Sequence, residues 1–281
     1  MSTCLTIAGH TLAVVGQAEE ALLGTLPGFE PFITHDEAEW EIRFTDMADR
    51  PSFSSLYQFD FNQSIPCRFG KSEGTYLFEM GTGNEAVFMR YPAGNVVECS
   101  HCPQRDYLRF LLWMAFTLLA MSRRVMPIHA STIMNQNKAV LFLGESGTGK
   151  STHTSLWLKH IPGSELLNDD SPILAIEEGS AVVYGSPWSG KTPCYKPLRC
   201  EVAGLVRLRQ APRNEIRRLD VMRSISALQP SLPPALAYDA QSADYQMELL
   251  SALLSQAPVF QLDCLPDAEA AQLSHKTLFQ P

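Results

Sequence analysis

Five apolar residues, Ala139-Val-Leu-Phe-Leu143, run into Gly144-Glu-Ser-Gly-Thr-Gly149-Lys150-Ser151, after which Leu156, Trp157, Leu158 and Ile161 form one apolar helix face. A G-x-x-x-x-G-K-[ST] octapeptide between a buried strand and a helix leaves few folds open. Its glycines let successive backbone N–H groups curl around one point. A phosphate chain fits that point: the lysine ammonium reaches the β/γ-phosphates and the serine hydroxyl ligates Mg2+. At ordinary residue usage the bare pattern arises by accident in roughly 1% of chains this long, so the flanking strand and helix carry the assignment. Gly144, Glu145, Ser146, Gly147, Thr148, Gly149, Lys150, Ser151 and Thr152 are the candidate phosphate cradle, and Pro162-Gly163 ends the helix behind it.

The second element is Leu166-Leu-Asn168-Asp169-Asp170. An apolar pair leading into two carboxylates suits a strand edge that holds Mg2+ beside the cradle and places a base near the γ-phosphate. The same residues also suit a solvated turn, since Asn-Asp-Asp-Ser-Pro is rich in turn formers. Spacing decides between them. Asp169 follows Lys150 by 19 residues, enough for one helix and one short connection back to a neighbouring strand. The LSGGQ signature of transporter ATPases is missing from the chain.

Around these motifs the chain divides at residue 104. Residues 1–104 read as a mainly antiparallel β-rich lobe: Trp40, Ile42 and Phe44 alternate with charged neighbours, and Thr75–Met80 and Glu85–Tyr91 flank a turn-rich Gly81-Thr-Gly-Asn84. Residues 105–281 read as an α/β nucleotide-binding domain. It opens with a helix from Arg105 to about Arg124, apolar all round in the middle, which Pro127 is expected to break. Ile128–Met134 reads as a strand, Asn135-Gln-Asn137 as a turn, Glu201–Leu208 and Val259–Cys264 as further strands, and Asp244–Leu254 and Asp267–Leu273 as helices. With 22 Lys+Arg against 30 Asp+Glu, the net charge of −8 argues against a whole-surface grip on nucleic acid or anionic lipid. The longest uncharged apolar run, Phe110–Met121, is too short to cross a bilayer. Seven scattered cysteines and no visible secretory signal point to the cytoplasm.

The segment from Ile128-His129-Ala130 through a hairpin into Gly144–Ser151, with Asn168-Asp-Asp170 about twenty residues on, resembles the catalytic domain of the HPr kinase/phosphorylase family, which shares its core with PEP carboxykinases. It looks most similar to compact HPr-kinase-like proteins of bacterial gene clusters, some of which phosphorylate peptides. The likeness covers residues 128 to about 210 well and the C-terminal strand and helix loosely, and does not extend to the N-terminal hundred residues. It implies a mixed-sheet phosphate-loop domain that uses ATP and Mg2+ to phosphorylate a hydroxyl, with a serine of a small protein or peptide as acceptor. Lys150 would neutralise the β/γ oxygens, Ser151 and Asp170 would hold the metal, and Asp169, also a metal candidate, would take the hydroxyl proton. His129 matches a histidine near the transferred group, against a structural strand histidine as the alternative. Other readings in view are a small-metabolite kinase and a nucleotide-gated binding module. The identity of the acceptor and homo-oligomerisation are left open.

Weaker candidates surround this core. Lys191, in Gly185-Ser-Pro-Trp-Ser-Gly-Lys-Thr-Pro-Cys194, is either a second cation for the phosphates or part of a surface turn. Arg207, Arg209, Arg213, Arg217 and Arg218 form either a ligand-facing patch or a solvated strand edge. Cys99-Ser-His-Cys102 lacks the second ligand pair that a zinc site wants. His153 reads as packing or helix surface, and Trp113 and Phe116 as core.

Overall fold

The computed structural model describes residues 2–47 and 50–280. The chain forms two compact units, one running to Arg123 together with Ala235–Asp244, the other Arg124–Pro234 together with the chain from Tyr245. The units part after residue 123, whereas composition placed the division at 104.

The first unit is a nine-stranded mixed sheet built from β1 (Thr3–Ile7), β2 (His10–Val15), β3 (Ile33–Thr34), β4 (Trp40–Thr45), β5 (Ser55–Phe61), β6 (Ile65–Ser72), β7 (Thr75–Met80), β8 (Val87–Tyr91) and β9 (Val96–Ser100). Its order is β3-β1-β2-β4-β9-β8-β7-β6-β5. The pairings β2/β4 and β4/β9 are parallel and the rest antiparallel. On β4 the alternation seen in the sequence becomes burial of Trp40, Ile42 and Phe44. Two helices, α1 (Gln17–Leu23) and α2 (Arg105–Ala120), belong to this unit. The middle of α2 is buried almost all round, as its composition requires. It ends at Ala120 and passes through a 3-10 turn, Met121–Arg123, so the helix stops before Pro127 is reached.

The second unit holds β10 (Val125–Pro127), β11 (Ala130–Asn135), β12 (Lys138–Leu143), α3 (Lys150–His160), β13 (Glu165–Asp170), β14 (Ile173–Glu177), β15 (Ser180–Tyr184), β16 (Arg199–Gln210), β17 (Glu215–Arg218), α4 (Val221–Leu228), β18 (Val259–Cys264) and α6 (Ala268–Phe279). Helix α5 (Ala240–Gln256) precedes β18. The sheet order is β10-β14-β15-β16-β12-β11-β13, with β18 pairing β16 and β17. Pro127 therefore lies in a strand. Because β10 is an edge strand, the missing N–H costs no central ladder bond.

Three local choices shape the site. Gln136 and Asn137, at φ 50° and 61°, form a two-residue turn that closes the β11/β12 hairpin at the Asn135–Lys138 pair. Helix α3 packs Trp157 and Ile161 on one face of the sheet against Val140, Phe142, Val206 and Leu262. Fully buried, Trp157 satisfies its indole N–H on Ser274 Oγ at 2.9 Å. Strand β13 pairs with β11 and so lies one strand away from β12. No helix among the described residues is long and apolar enough to cross a membrane.

Candidate phosphate and metal site

The buried strand β12 delivers the chain to Gly144, and the glycine loop turns it into α3. Gly149, immediately before the helix, sits at φ 107°, which an L side chain rarely adopts. Thr148 braces the loop from within: its N–H and Oγ1 both donate to Glu145 O, at 3.1 and 2.7 Å. The backbone bonds of α3 begin with His153 N–H on Gly149 O at 2.9 Å. The amides of Lys150, Ser151 and Thr152 thus lie in the unsatisfied first turn, where partial positive charge favours an anion.

The side chains chosen from the sequence meet at this helix end. Lys150 Nζ donates to Gly144 O at 2.7 Å and to Glu145 O at 3.3 Å, and lies 2.9 Å from His129 Nε2. On its other ring nitrogen, His129 faces Asp170 Oδ1 at 3.1 Å. An ammonium can only donate, so in this arrangement Nε2 accepts and Nδ1 carries the hydrogen donated to Asp170. Burial lowers the proton affinity of Lys150. Asp170 and Asp169 oppose that effect, and Arg207 adds to it.

The two carboxylates are placed differently. Asp169 is buried and accepts from Ser131 Oγ at 2.8 Å, Ser151 Oγ at 3.1 Å and the Thr192 N–H at 3.2 Å. Asp170 is about half exposed and sits at φ 147°, a strained value for a residue with a Cβ. Strain at a strand end is tolerated where the surroundings over-determine it, and here the flanking pairs do so: Ala130 faces Asp170 across the β11/β13 ladder, and Ser189 bridges it from the other side.

Segment 186–194 closes over β13. Gly190 N–H donates to Asp169 O, and a Cβ added at Gly190 would stand 2.7 Å from that same oxygen. Asn168 holds the segment from below, its Nδ2 donating to Trp188 O at 3.1 Å and Ser186 Oγ at 3.2 Å while Oδ1 accepts the Ser171 N–H at 2.9 Å. Lys191 rides on this segment with an exposed side chain and, among the described residues, joins none of these contacts. The segment reaches β13 through the Gly190 and Thr192 amides and through the side chains of Ser189 and Cys194, which donate to the Asp169 and Leu167 carbonyls at 3.4 and 3.3 Å.

Sequence reasoning did not find Ser131, Asn168 as an anchor, or the Thr192 amide. Each depends on strand register or loop docking and has no local signal. Nor did it find the cavity of about 670 Å³ beside the loop, lined by Gly147, Thr148, Thr152, His153 and Leu156 on one side and by Gln210–Pro212 and Cys264–Pro266 on the other. The ends of the parallel strands β16 and β18 form its far wall, where open α/β sheets place ligands. A Pro two residues beyond each strand, at 212 and 266, was the legible trace of it.

The arginines do not form one patch. Arg209 pairs with Asp263 and Arg213 with Glu215, whereas Arg207 turns toward the loop. His153 is buried against the edge of Phe142, and burial pulls its imidazole down to about 4. Cys99 and Cys102 are buried thiols, Cys102 pushed up to about 12 by burial. Among the described residues no group of three or more His, Cys, Asp and Glu side chains is gathered as a metal cage. Magnesium does not require one, since one or two carboxylates with phosphate oxygens suffice, and the hydroxyl and carboxylate oxygens of Ser151, Asp169 and Asp170 are the hard donors it prefers.

No family model and no curated protein matches the chain. Among solved structures it is similar to the HPr(Ser) kinase/phosphatase from Coxiella burnetii, at 15% identity and a TM-score of 0.32 over 55% of this chain and 93% of that one. A likeness at that level leaves the assignment to the site's own geometry.

Proposed function

We propose that this protein is an ATP- and Mg2+-dependent kinase that transfers the γ-phosphoryl group to a hydroxyl, with a serine of a small protein or peptide as acceptor. One observation carries the reading: Ser151 of the loop meets the buried Asp169 while Lys150, His129 and Asp170 form a continuous polar chain beside it. The apolar cavity next to the loop suits a nucleoside base. The serine-peptide acceptor rests on the motif resemblance.

Mg2+, held by Ser151 and Asp169, would neutralise charge on the phosphate oxygens. The protein's residues divide the remaining work. Loop amides and Lys150 hold the triphosphate, and Ser151 with Asp169 forms the metal-holding pair. Asp170, half exposed and oriented by His129, takes the proton of the incoming hydroxyl as its oxygen attacks the γ-phosphorus and the bond to the β,γ-bridging oxygen breaks, releasing ADP. This exchanges the roles that the family resemblance implied for the two carboxylates. A buried carboxylate held by three donors is poorly placed to meet a substrate, and an accessible one is well placed.

The test is label transfer from γ-labelled ATP to panels of serine peptides and small alcohols. Mg2+-dependent transfer to peptides, lost in Lys150→Ala, is the expected result. Transfer only to small alcohols would make the protein a metabolite kinase, and nucleotide binding without transfer would make it a nucleotide-gated module. Asp170→Asn is expected to keep Mg2+-dependent nucleotide binding and lose transfer, whereas Asp169→Asn weakens the binding itself. The reverse pattern restores the original division.

A further inference from the structure

Arg207 lies on β16, in register with Leu143, the last strand residue before the glycine loop. Its side chain is 24% exposed, and NH1 donates to Ala227 O at 3.0 Å. A guanidinium has five N–H groups in a fixed fork, so one anchored nitrogen leaves the others free to point in a set direction. Here that direction is the loop: Arg207 lines a polar groove of about 450 Å³ with Glu145, Ser146, Gly147 and Thr148. The nearest carboxylate is Glu145, 3.8 Å from NH2 and 84% exposed, too long and too wet for a strong pair. Arg209, two residues along the strand, differs in being clamped by both oxygens of Asp263. Arg207 and Lys150, two cations facing one loop, repel each other until an anion joins them, and that arrangement marks a phosphate-binding site.

Building on the nucleotide reading above, we infer that Arg207 is a further phosphate-binding residue, acting on the outer phosphates of a nucleoside triphosphate and setting preference for triphosphate over monophosphate. The anchoring carbonyl at Ala227 holds the fork in place before the ligand arrives, so little side-chain freedom is lost on binding.

Equilibrium binding of ATP, ADP and AMP, each with Mg2+, tests this in the full-length protein, in Arg207→Gln, which keeps a donor for Ala227 O, and in Arg207→Lys, which keeps the charge. Arg207→Gln is expected to weaken ATP about ten- to a hundredfold, the range of a charge-assisted pair, with AMP changed less than about twofold. Arg207→Lys should fall between, and the fall in ATP affinity with added salt should be shallower in the Gln variant. An ATP-to-AMP preference equal to wild type in both variants, or equal weakening of all three nucleotides, overturns the inference and leaves the nucleotide site standing. Failure of the wild-type protein to bind any of the three overturns both.

Discussion

Glu19 in the first unit and Asp169 in the second are both buried carboxylates, and their surroundings differ. Glu19, in α1 of the first unit, is 1% exposed, and its Oε1 accepts the Cys102 N–H at 2.9 Å and faces His101 Nδ1 at 3.1 Å. Its other oxygen has no hydrogen-bond partner among the described residues. Asp169, in the second unit, is 5% exposed and is met by two hydroxyls and an amide from β11, α3 and segment 186–194. Burying a polar group is costly wherever it happens. Glu19 spends that cost on pinning a short helix to the loop after β9. Asp169 gathers groups from separate elements around a glycine loop, a convergence that the first unit's sheet needs no equivalent of. Burial alone therefore does not distinguish the two carboxylates, and the number of elements that donate to each does.

The largest expected effect is at Asp169. Asp169→Asn keeps the shape and removes the charge that would hold Mg2+ against the phosphates, so phosphoryl transfer should fall about a hundredfold or more, through weakened Mg2+-dependent nucleotide binding. Stability should fall by only about 1–2 kcal/mol, because the amide oxygen still accepts from both hydroxyls and the Thr192 N–H alone loses its acceptor. Transfer kinetics with denaturant unfolding on the same preparation separate the two effects. Loss of stability comparable to the loss of rate would place Asp169 with Glu19 as an architectural group.

His153 sharpens the comparison from the other side, since it is a buried polar residue of the second unit that lies next to the loop in sequence and serves packing. Its imidazole faces Ser274 Oγ at 3.1 Å and is held neutral, with burial lowering it to about 4. The unfolded chain takes up this proton near pH 6.5, before the folded one does. The contribution is therefore complete above pH 6.5 and is lost as pH falls toward 4, about 3 kcal/mol in all. His153→Gln should flatten that part of the stability profile, read by denaturant unfolding at steps between pH 7 and 4.5.

The glycine loop and its flanks were legible because their signals are local. Strand β12, helix α3 and β13 follow from an apolar run, a fixed octapeptide and a carboxylate pair, and the bounds of β18, Val259–Cys264, coincide with an uninterrupted β-type run. What surrounds Asp169 was not legible. Ser131 stands opposite it through an antiparallel register that shifts between Thr132 and Ile133, and no short-range pattern announces a shift. Segment 186–194 read either as a loop bringing Lys191 to the phosphates as a second cation or as a surface turn, and the Gly190 and Thr192 amides that meet Asp169 carry no sequence signal. Pro127 misled because a proline after a helix reads as its terminator, whereas an edge strand accepts it.

Glu19→Ala tests the architectural half. The Cys102 amide would lose its buried acceptor, at a cost of about 2 kcal/mol, read as a lower denaturant midpoint. Transfer rates measured well below that midpoint should match wild type. A large loss of transfer in a folded Glu19→Ala protein would end the distinction between the two carboxylates.

The smallest effect concerns how segment 186–194 supports Asp169. Gly190 approaches the β13 backbone so closely that any Cβ would press on Asp169 O and, at 3.1 Å, on Asp170 Cβ. The segment must then lift, taking the Thr192 amide from Asp169 while the Ser131 and Ser151 hydroxyls remain. Gly190→Ala should slow transfer about tenfold, the worth of one charge-assisted hydrogen bond at its lower end, with faster amide exchange confined to residues 186–194. Replacing the side chain of Lys191 with alanine should do less than this, because that side chain joins none of the described contacts with Asp169. A greater loss in Lys191→Ala than in Gly190→Ala would show the lysine, and not the backbone that carries it, to be what the site requires.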